Sequence, residues 1–161
     1  MTAPVPALLP FDTRAAFQER LVEVLERARA TLDAFDPDFA LFRLGAPDVD
    51  AVLRRYLHDG GRLRLALHDP AYLDRAAPRF LRLVRDYAHA VECRRTPKSL
   101  RNLTDSFCIA DGLHIVRRFH SDHLRGEAVF DAAQQTELSR LRFTAIWAES
   151  QPALQAGVTG L

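Results

Sequence analysis

Apolar residues recur with a helical period along the first part of the chain. Phe17, Leu21, Val24, Leu25, Ala28 and Leu32 fall at i, i+4, i+7, i+8, i+11 and i+15, one face of a 3.6-residue repeat. With Asp12 as N-cap, they predict a helix to about Leu32. Asp36-Pro37-Asp38 is a turn, and the apolar run Phe39–Leu44 reads as a buried strand. Pro47 or Asp48 opens a second helix on Val49, Val52, Leu53, Tyr56 and Leu57, and Gly60 supplies its left-handed cap. Arg62–Leu67 then alternates, leucines on one face and Arg62 and Arg64 on the other. Strand, helix, strand is a βαβ unit, so 39–44 is expected to pair in parallel with 62–67.

A third helical region begins at Asp69-Pro70 and restarts at Pro78, because proline is tolerated only in a first turn. Ala88–Cys93 reads as a third strand, and Arg94–Leu103 as a basic loop. Ser106–Ala110 and Leu113–Val116 flank Asp111-Gly112, a strong hairpin signal. Residues 119–128 read as a polar loop, and a last helix runs from about Asp131 to Glu149. The expected organisation is one α/β domain over 12–150, with an irregular arm at 1–11 and a frayed tail at 151–161.

Composition narrows the class. The chain has 161 residues, 48% hydrophobic and 27% charged, which excludes collagen-like, low-complexity and largely disordered chains. A net charge of +1 demands neither nucleic acid nor an anionic membrane. Cys93 and Cys108 form no CxxC pair and sit in apolar runs, so buried reduced thiols and a cytoplasmic location are expected. No run of 18 apolar residues predicts a membrane span, and the N-terminus lacks the basic segment of a secretory signal. GxGxxG, Walker, GxSxG and HExxH motifs are absent, and no cofactor is expected.

Two clusters carry candidate chemistry. Arg94, Arg95, Lys98 and Arg101 have no acid between them, and Arg117 and Arg118 follow the hairpin. Such groups bind phosphate or a nucleic-acid backbone when they converge, and otherwise form a solvated or ion-paired surface. His114, His120, Asp122 and His123 fall within ten residues. Imidazole and carboxylate suit zinc or nickel, but a zinc site needs three or four ligands on fixed elements, so no metal is assigned.

The order of elements carries a family resemblance. Helix, FALFRL, helix, DGGRLRLAL, helix, strand, basic loop, the hairpin SFCIADGLHIV and a terminal helix with Trp147 resemble one half of a phospholipase D-like protein. The chain is also similar to phospholipase D-like domains of unknown function in short bacterial proteins. The resemblance implies a mixed β-sheet flanked by helices, with the hairpin toward the C-terminal region. Active members of that family carry His-x-Lys-x4-Asp, then Gly-Ser and Asn. The His is the nucleophile, the Lys holds the phosphate and the Asp completes the set. Anchored on Asp111-Gly112, Thr104 stands at the His position and Ser106 at the Lys position. Arg118 and Phe119 replace Gly-Ser, and Asp122 lies near the Asn. A threonine hydroxyl without an adjacent base cannot serve as that nucleophile.

The resemblance therefore implies a pseudoenzyme: a non-catalytic module binding a phosphate-bearing ligand or a protein partner. Its degenerate cleft would comprise Thr104, Ser106, Asp111, Arg118, His120 and Asp122. The competing reading makes Asp111 a turn residue only. Two alternatives remain: a phosphate- or metal-dependent enzyme using His120, His123, Asp122 and Asp111, and a nucleic-acid accessory protein using the Arg94–Arg101 run. Family catalysis needs two facing halves, and Phe119, Phe130, Phe143 and Trp147 lie near the hairpin and last helix. A homodimer with Asp111 near its two-fold axis is the corresponding expectation.

Overall fold

The computed structural model describes residues 5–154. In chain order the elements are β1 (Leu8–Phe11), α1 (Arg14–Arg27), β2 (Thr31–Phe35), α2 (Pro47–His58), β3 (Arg62–Leu67), α3 (Ala71–Ala76) and α4 (Pro78–Asp86). Then follow β4 (Val91–Arg95), β5 (Ser106–Ala110), β6 (His114–Arg118), β7 (Gly126–Val129), α5 (Ala133–Glu149) and β8 (Gln151–Ala153). They build one eight-stranded mixed sheet in the order β1-β7-β6-β5-β2-β3-β4-β8. Among the described residues, no helix is long and apolar enough to cross a membrane.

The sheet is parallel at β2-β3-β4 and antiparallel elsewhere. Helices α1, α2 and α4 cover one face, where Phe17, Leu21, Leu53, Phe80 and Leu83 are buried. Helix α5 covers part of the other, over Phe35, Phe107, Ile109 and Ile115. Leu63 and Leu65 of β3 are buried in the first core, as the alternation of that strand requires. The Asp111-Gly112 hairpin forms in the expected register, Ala110 opposite His114 and Cys108 opposite Val116. Gly60 has φ +99, and a Cβ on Gly61 would meet the Tyr56 ring at 2.2 Å, so this turn needs both glycines.

The first parallel pair differs from expectation. Helix α1 stops at Arg27, and Thr31–Phe35 is the strand that pairs with Arg62–Ala66. The run 39–44 is not a strand. The Asp36 carboxylate accepts the N–H groups of Asp38 (3.0 Å) and Phe39 (2.7 Å), and Phe39 and Arg43 adopt left-handed φ of 62° and 54°. The apolar character of the run is used in the turn itself, where the Phe39 and Phe42 rings pack edge-on at 4.7 Å. The true strand is held at its start from afar. Asp111 Oδ1 accepts from the N–H groups of Ala30 (2.8 Å) and Thr31 (2.9 Å), and Oδ2 from that of Arg29 (2.9 Å).

Both outer edges also gain strands. The arm expected to be irregular contributes β1, antiparallel to β7, and the tail expected to fray contributes β8 on β4. Each includes a proline, Pro10 or Pro152, a residue confined to edge strands because it cannot donate to a further ladder. Residues 1–4 and 155–161 of those expected segments lie outside the described residues. Strand β4 starts three residues later than expected and ends two later, and β7 occupies the end of the expected 119–128 loop.

Candidate functional site

One edge of the sheet gathers buried polar residues. The parallel strands β2, β3 and β4 end there, followed at once by Asp36, His68 and Thr96. Because β5 runs against β2, its first residue, Ser106, lies at the same edge, opposite Arg118 at the end of β6. All five side chains are buried. The carboxyl ends of parallel strands are where α/β sheets build sites, and the Thr104 and Ser106 positions belong to this edge.

The centre of the edge is an ion pair. Arg118 Nη2 donates to Asp36 Oδ1 at 2.8 Å, with the side chains only 3% and 1% exposed. Burial pushes the Asp36 carboxyl above the usual carboxylate range. The Ser106 hydroxyl, the Arg118 charge and the N–H groups of Asp38 and Phe39 oppose that rise. Ser106 Oγ lies beside the carboxylate without closing a hydrogen bond of full geometry, and Arg118 Nε is likewise buried without a partner. The guanidinium also stands 5.2 Å from the centre of the Phe17 ring. Where the resemblance implied a cleft, a charge pair fills the interior.

Two loops roof this layer. Arg118 Nη1 donates to the carbonyls of Ser121 (2.7 Å) and His123 (3.3 Å). The Ser121 N–H donates to the Thr104 carbonyl at 2.8 Å, joining the 119–125 loop to the loop before β5. His68 fixes that second loop: Nδ1 lies 2.6 Å from Thr96 Oγ1 and Nε2 2.8 Å from the Leu103 carbonyl. Asp36, His68 and Thr96 escape a reading by motif. Their one sequence signal is a polar residue directly after an apolar strand.

Among the remaining candidates, Asp111 stands at the opposite end of the sheet, in a turn of φ 56°, with its carboxylate engaged by Arg29, Ala30 and Thr31. It does not meet Thr104, Ser106 and Arg118. His120 and His123 rings lie 5.1 Å apart in the roof loop, with Asp122 Oδ2 3.9 Å from His120 Nδ1. His114 lies under Asp131, whose N–H it accepts at 3.0 Å. Among the described residues, no three His, Cys, Asp or Glu side chains converge as metal ligands. The set His120, His123, Asp122 and Asp111 is therefore split between two ends of the sheet.

The basic residues divide similarly. Arg94 Nε donates to Glu92 (2.7 Å) and Nη1 to the Trp147 carbonyl (3.1 Å), with the guanidinium 4.3 Å from the Trp147 ring centre. Arg95 donates to the His68 carbonyl at 3.0 Å, and Arg117 pairs with Glu127. Lys98 and Arg101 are exposed on the loop before β5, and Arg125 is exposed on the roof loop. None of these three joins an ion pair with a described residue.

Surface relief agrees with a closed edge. The depression there, lined by Asp105, Ser106, Arg117, Arg118, Phe119 and Ser139, holds only about 140 Å³. A larger concavity, about 700 Å³, opens at the other end of the parallel strands, beside Arg62, Arg64, Glu92 and Trp147. Two of its charged groups are paired with each other, Arg64 Nε and Nη2 donating to Asp33 at 2.8 and 3.0 Å.

Comparison with known proteins places this geometry. The model of a family described as Domain of unknown function (DUF7931) matches residues 13–156. No curated protein matches the sequence. Among solved structures, the fold is similar to Nuc from Salmonella typhimurium, a phospholipase D family member. The TM-score is 0.66 at 11% identity, over 92% of this chain and 98% of that one. NucT from Helicobacter pylori matches with a TM-score of 0.64 at 7% identity, over 92% and 99%. An archaeal chromatin protein, described as showing a novel mode of DNA binding, matches at 0.70 and 13% identity, over 95% of this chain and 56% of its own. The chain has the phospholipase D-like fold, as the order of its elements implied.

Proposed function

This chain belongs to the family described as Domain of unknown function (DUF7931), and from that premise we propose that it is a non-catalytic phospholipase D-like module. One observation carries the reading. The edge that would hold a nucleophile and a phosphate-holding lysine has Thr104 and Ser106, and the space beneath is filled by the Asp36–Arg118 pair. No imidazole stands at the nucleophile position. The one buried imidazole of the edge, His68, has both nitrogens engaged inward by Thr96 and Leu103.

The surface above the filled cleft suits a phosphate-bearing ligand. Lys98 and Arg101 on one loop and Arg125 on the other present cations that no described carboxylate neutralises. His120 and His123 add ring nitrogens between them in chain order. The other four members of the basic set, Arg94, Arg95, Arg117 and Arg118, hold the protein together rather than awaiting a ligand.

The test is calorimetric titration with inorganic phosphate and, separately, with duplex DNA of random sequence at two salt concentrations. Phosphate binding that is lost in Lys98→Ala/Arg101→Ala supports the module. Binding to DNA alone, steeply weakened by salt, assigns the surface to a nucleic-acid accessory role. Binding to neither removes the phosphate reading.

A further inference from the structure

Helix α5 carries two apolar stripes. Phe143, Ile146 and Trp147, with Thr136 and Ser139, face the sheet and are buried. On the opposite side, Leu138, Leu141, Ala145 and Ala148 follow one another at spacings of three, four and three, all exposed. Leu138 is 82% exposed and Leu141 50%. Spacing of three and four over nearly three turns is the seam of a helix pair. Polar residues border it on both flanks, Glu137, Arg140 and Thr144 on one, Arg142 and Glu149 on the other. Among the described residues, nothing covers this outer stripe.

The aromatics near the hairpin do not compete for that role. Phe143 and Trp147 complete the core, and Phe130 lies under the Arg27 guanidinium at 4.2 Å. Only Phe119 of that group is exposed. Among the described residues within five positions of Asp111, Leu113 alone is an exposed large apolar residue.

We propose that the outer stripe of α5 is a homodimer seam, in which two copies pack their α5 helices antiparallel about a two-fold axis level with Phe143. Leu138 and Ala148 are centred on position 143, and so are Leu141 and Ala145. Turning the helix over about that point sets Leu138 against Ala148 of the partner subunit, and Leu141 against Ala145 of the partner subunit. A large side chain then meets a small one in all four layers. A parallel pair would set leucine on leucine and alanine on alanine, wide at one end and gapped at the other. Complementarity about a point is the property of an isologous interface, which a second copy of the same surface satisfies.

Charge fits the same register. A two-fold axis across the helices brings like flanks together, so Arg142 meets Arg142 of the partner subunit near the axis. Each Arg142 holds Asp105, at 2.6 Å in this chain, and Glu149 of each copy lies beyond. Two guanidinium groups thus sit among four carboxylates. One helix face is smaller than the roughly 800 Å² per partner of a standard interface, so association is concentration-dependent.

Sedimentation equilibrium from micromolar to millimolar protein tests the seam. The mass is expected to rise from the 18.2 kDa of one chain toward twice that value. Leu138→Glu/Leu141→Glu alters only exposed positions, so it is expected to keep its thermal midpoint at low concentration and to stay at one-chain mass throughout. Leu141→Cys/Ala145→Cys is expected to give an interchain disulfide under mild oxidation, since Cys93 and Cys108 are buried, whereas Leu8→Cys on β1 is not. A wild-type mass of one chain at millimolar protein overturns the proposal. So does a dimer that persists in the double glutamate variant.

Discussion

Arg118 and Asp36, 82 residues apart in the chain, form a 2.8 Å ion pair in the interior beside Ser106. The pair links the ends of β2 and β6, and the same guanidinium holds the roof loop through two carbonyls. One side chain therefore ties the buried carboxylate to the loop above it.

Removing that side chain leaves a buried carboxyl and a loosened roof. Arg118→Met is expected to cost about 3–5 kcal/mol, the range for breaking a buried pair from one side. Asp36→Asn/Arg118→Met should cost less than the sum of the single changes. The loss also depends on pH. Without Arg118, the folded-state pKa of Asp36 rises further above its unfolded value, so the folded variant binds a proton that the unfolded chain does not. Its deficit should shrink as pH falls from 8 to 5. Urea unfolding at several pH values measures both effects, and a pH-independent deficit would contradict the buried-charge account.

Asp111 gives a different signature. Its carboxylate receives three backbone N–H groups at the start of β2. Asp111→Ala is expected to destabilise by on the order of 2–4 kcal/mol, while phosphate binding by the folded variant stays unchanged. A stable variant that has lost binding would return Asp111 to the site.

How far the sequence discloses this molecule depends on the range of the forces involved. The hairpin at 106–118 and the helix break at Pro78 are set by local chemistry, turn residues and a fixed proline φ, and both are legible. The first strand is not. Leu32 continues the helical repeat of α1, and Phe39–Leu44 is more apolar than Thr31–Phe35. What selects 31–35 is Asp111, some 80 residues away. Thr104 and Ser106 mark the altered cleft by motif position, but Asp36, His68 and Thr96 become visible only when strand order brings three chain segments to one edge.

His114 should make the fold acid-sensitive. Burial holds its pKa below the ordinary 6.5, and its Nδ1 accepts the Asp131 N–H, which requires the neutral ring. The unfolded chain takes up a proton near pH 6.5 and the folded one only at lower pH. Stability from this residue is thus present above pH 6.5 and lost as pH falls below it. In His114→Gln, the thermal midpoint should change less between pH 7.5 and 5.5 than in the wild type; an equal change would contradict this assignment.

The two thiols should be silent in the native state. Burial pushes Cys93 up to about 12 and Cys108 higher still, so neither supplies thiolate at neutral pH. Ellman's reagent should find no reactive thiol until denaturant is added, then two per chain. Fast labelling of the folded protein would show that a core edge opens.

The most direct test of the account is hydrolysis of bis-p-nitrophenyl phosphate by purified protein in EDTA, with Thr104→Ala run beside it. With Thr104 and Ser106 at the altered positions and the Asp36–Arg118 pair beneath them, the account predicts the buffer rate for both proteins. Turnover that survives repurification and disappears in Thr104→Ala would contradict it.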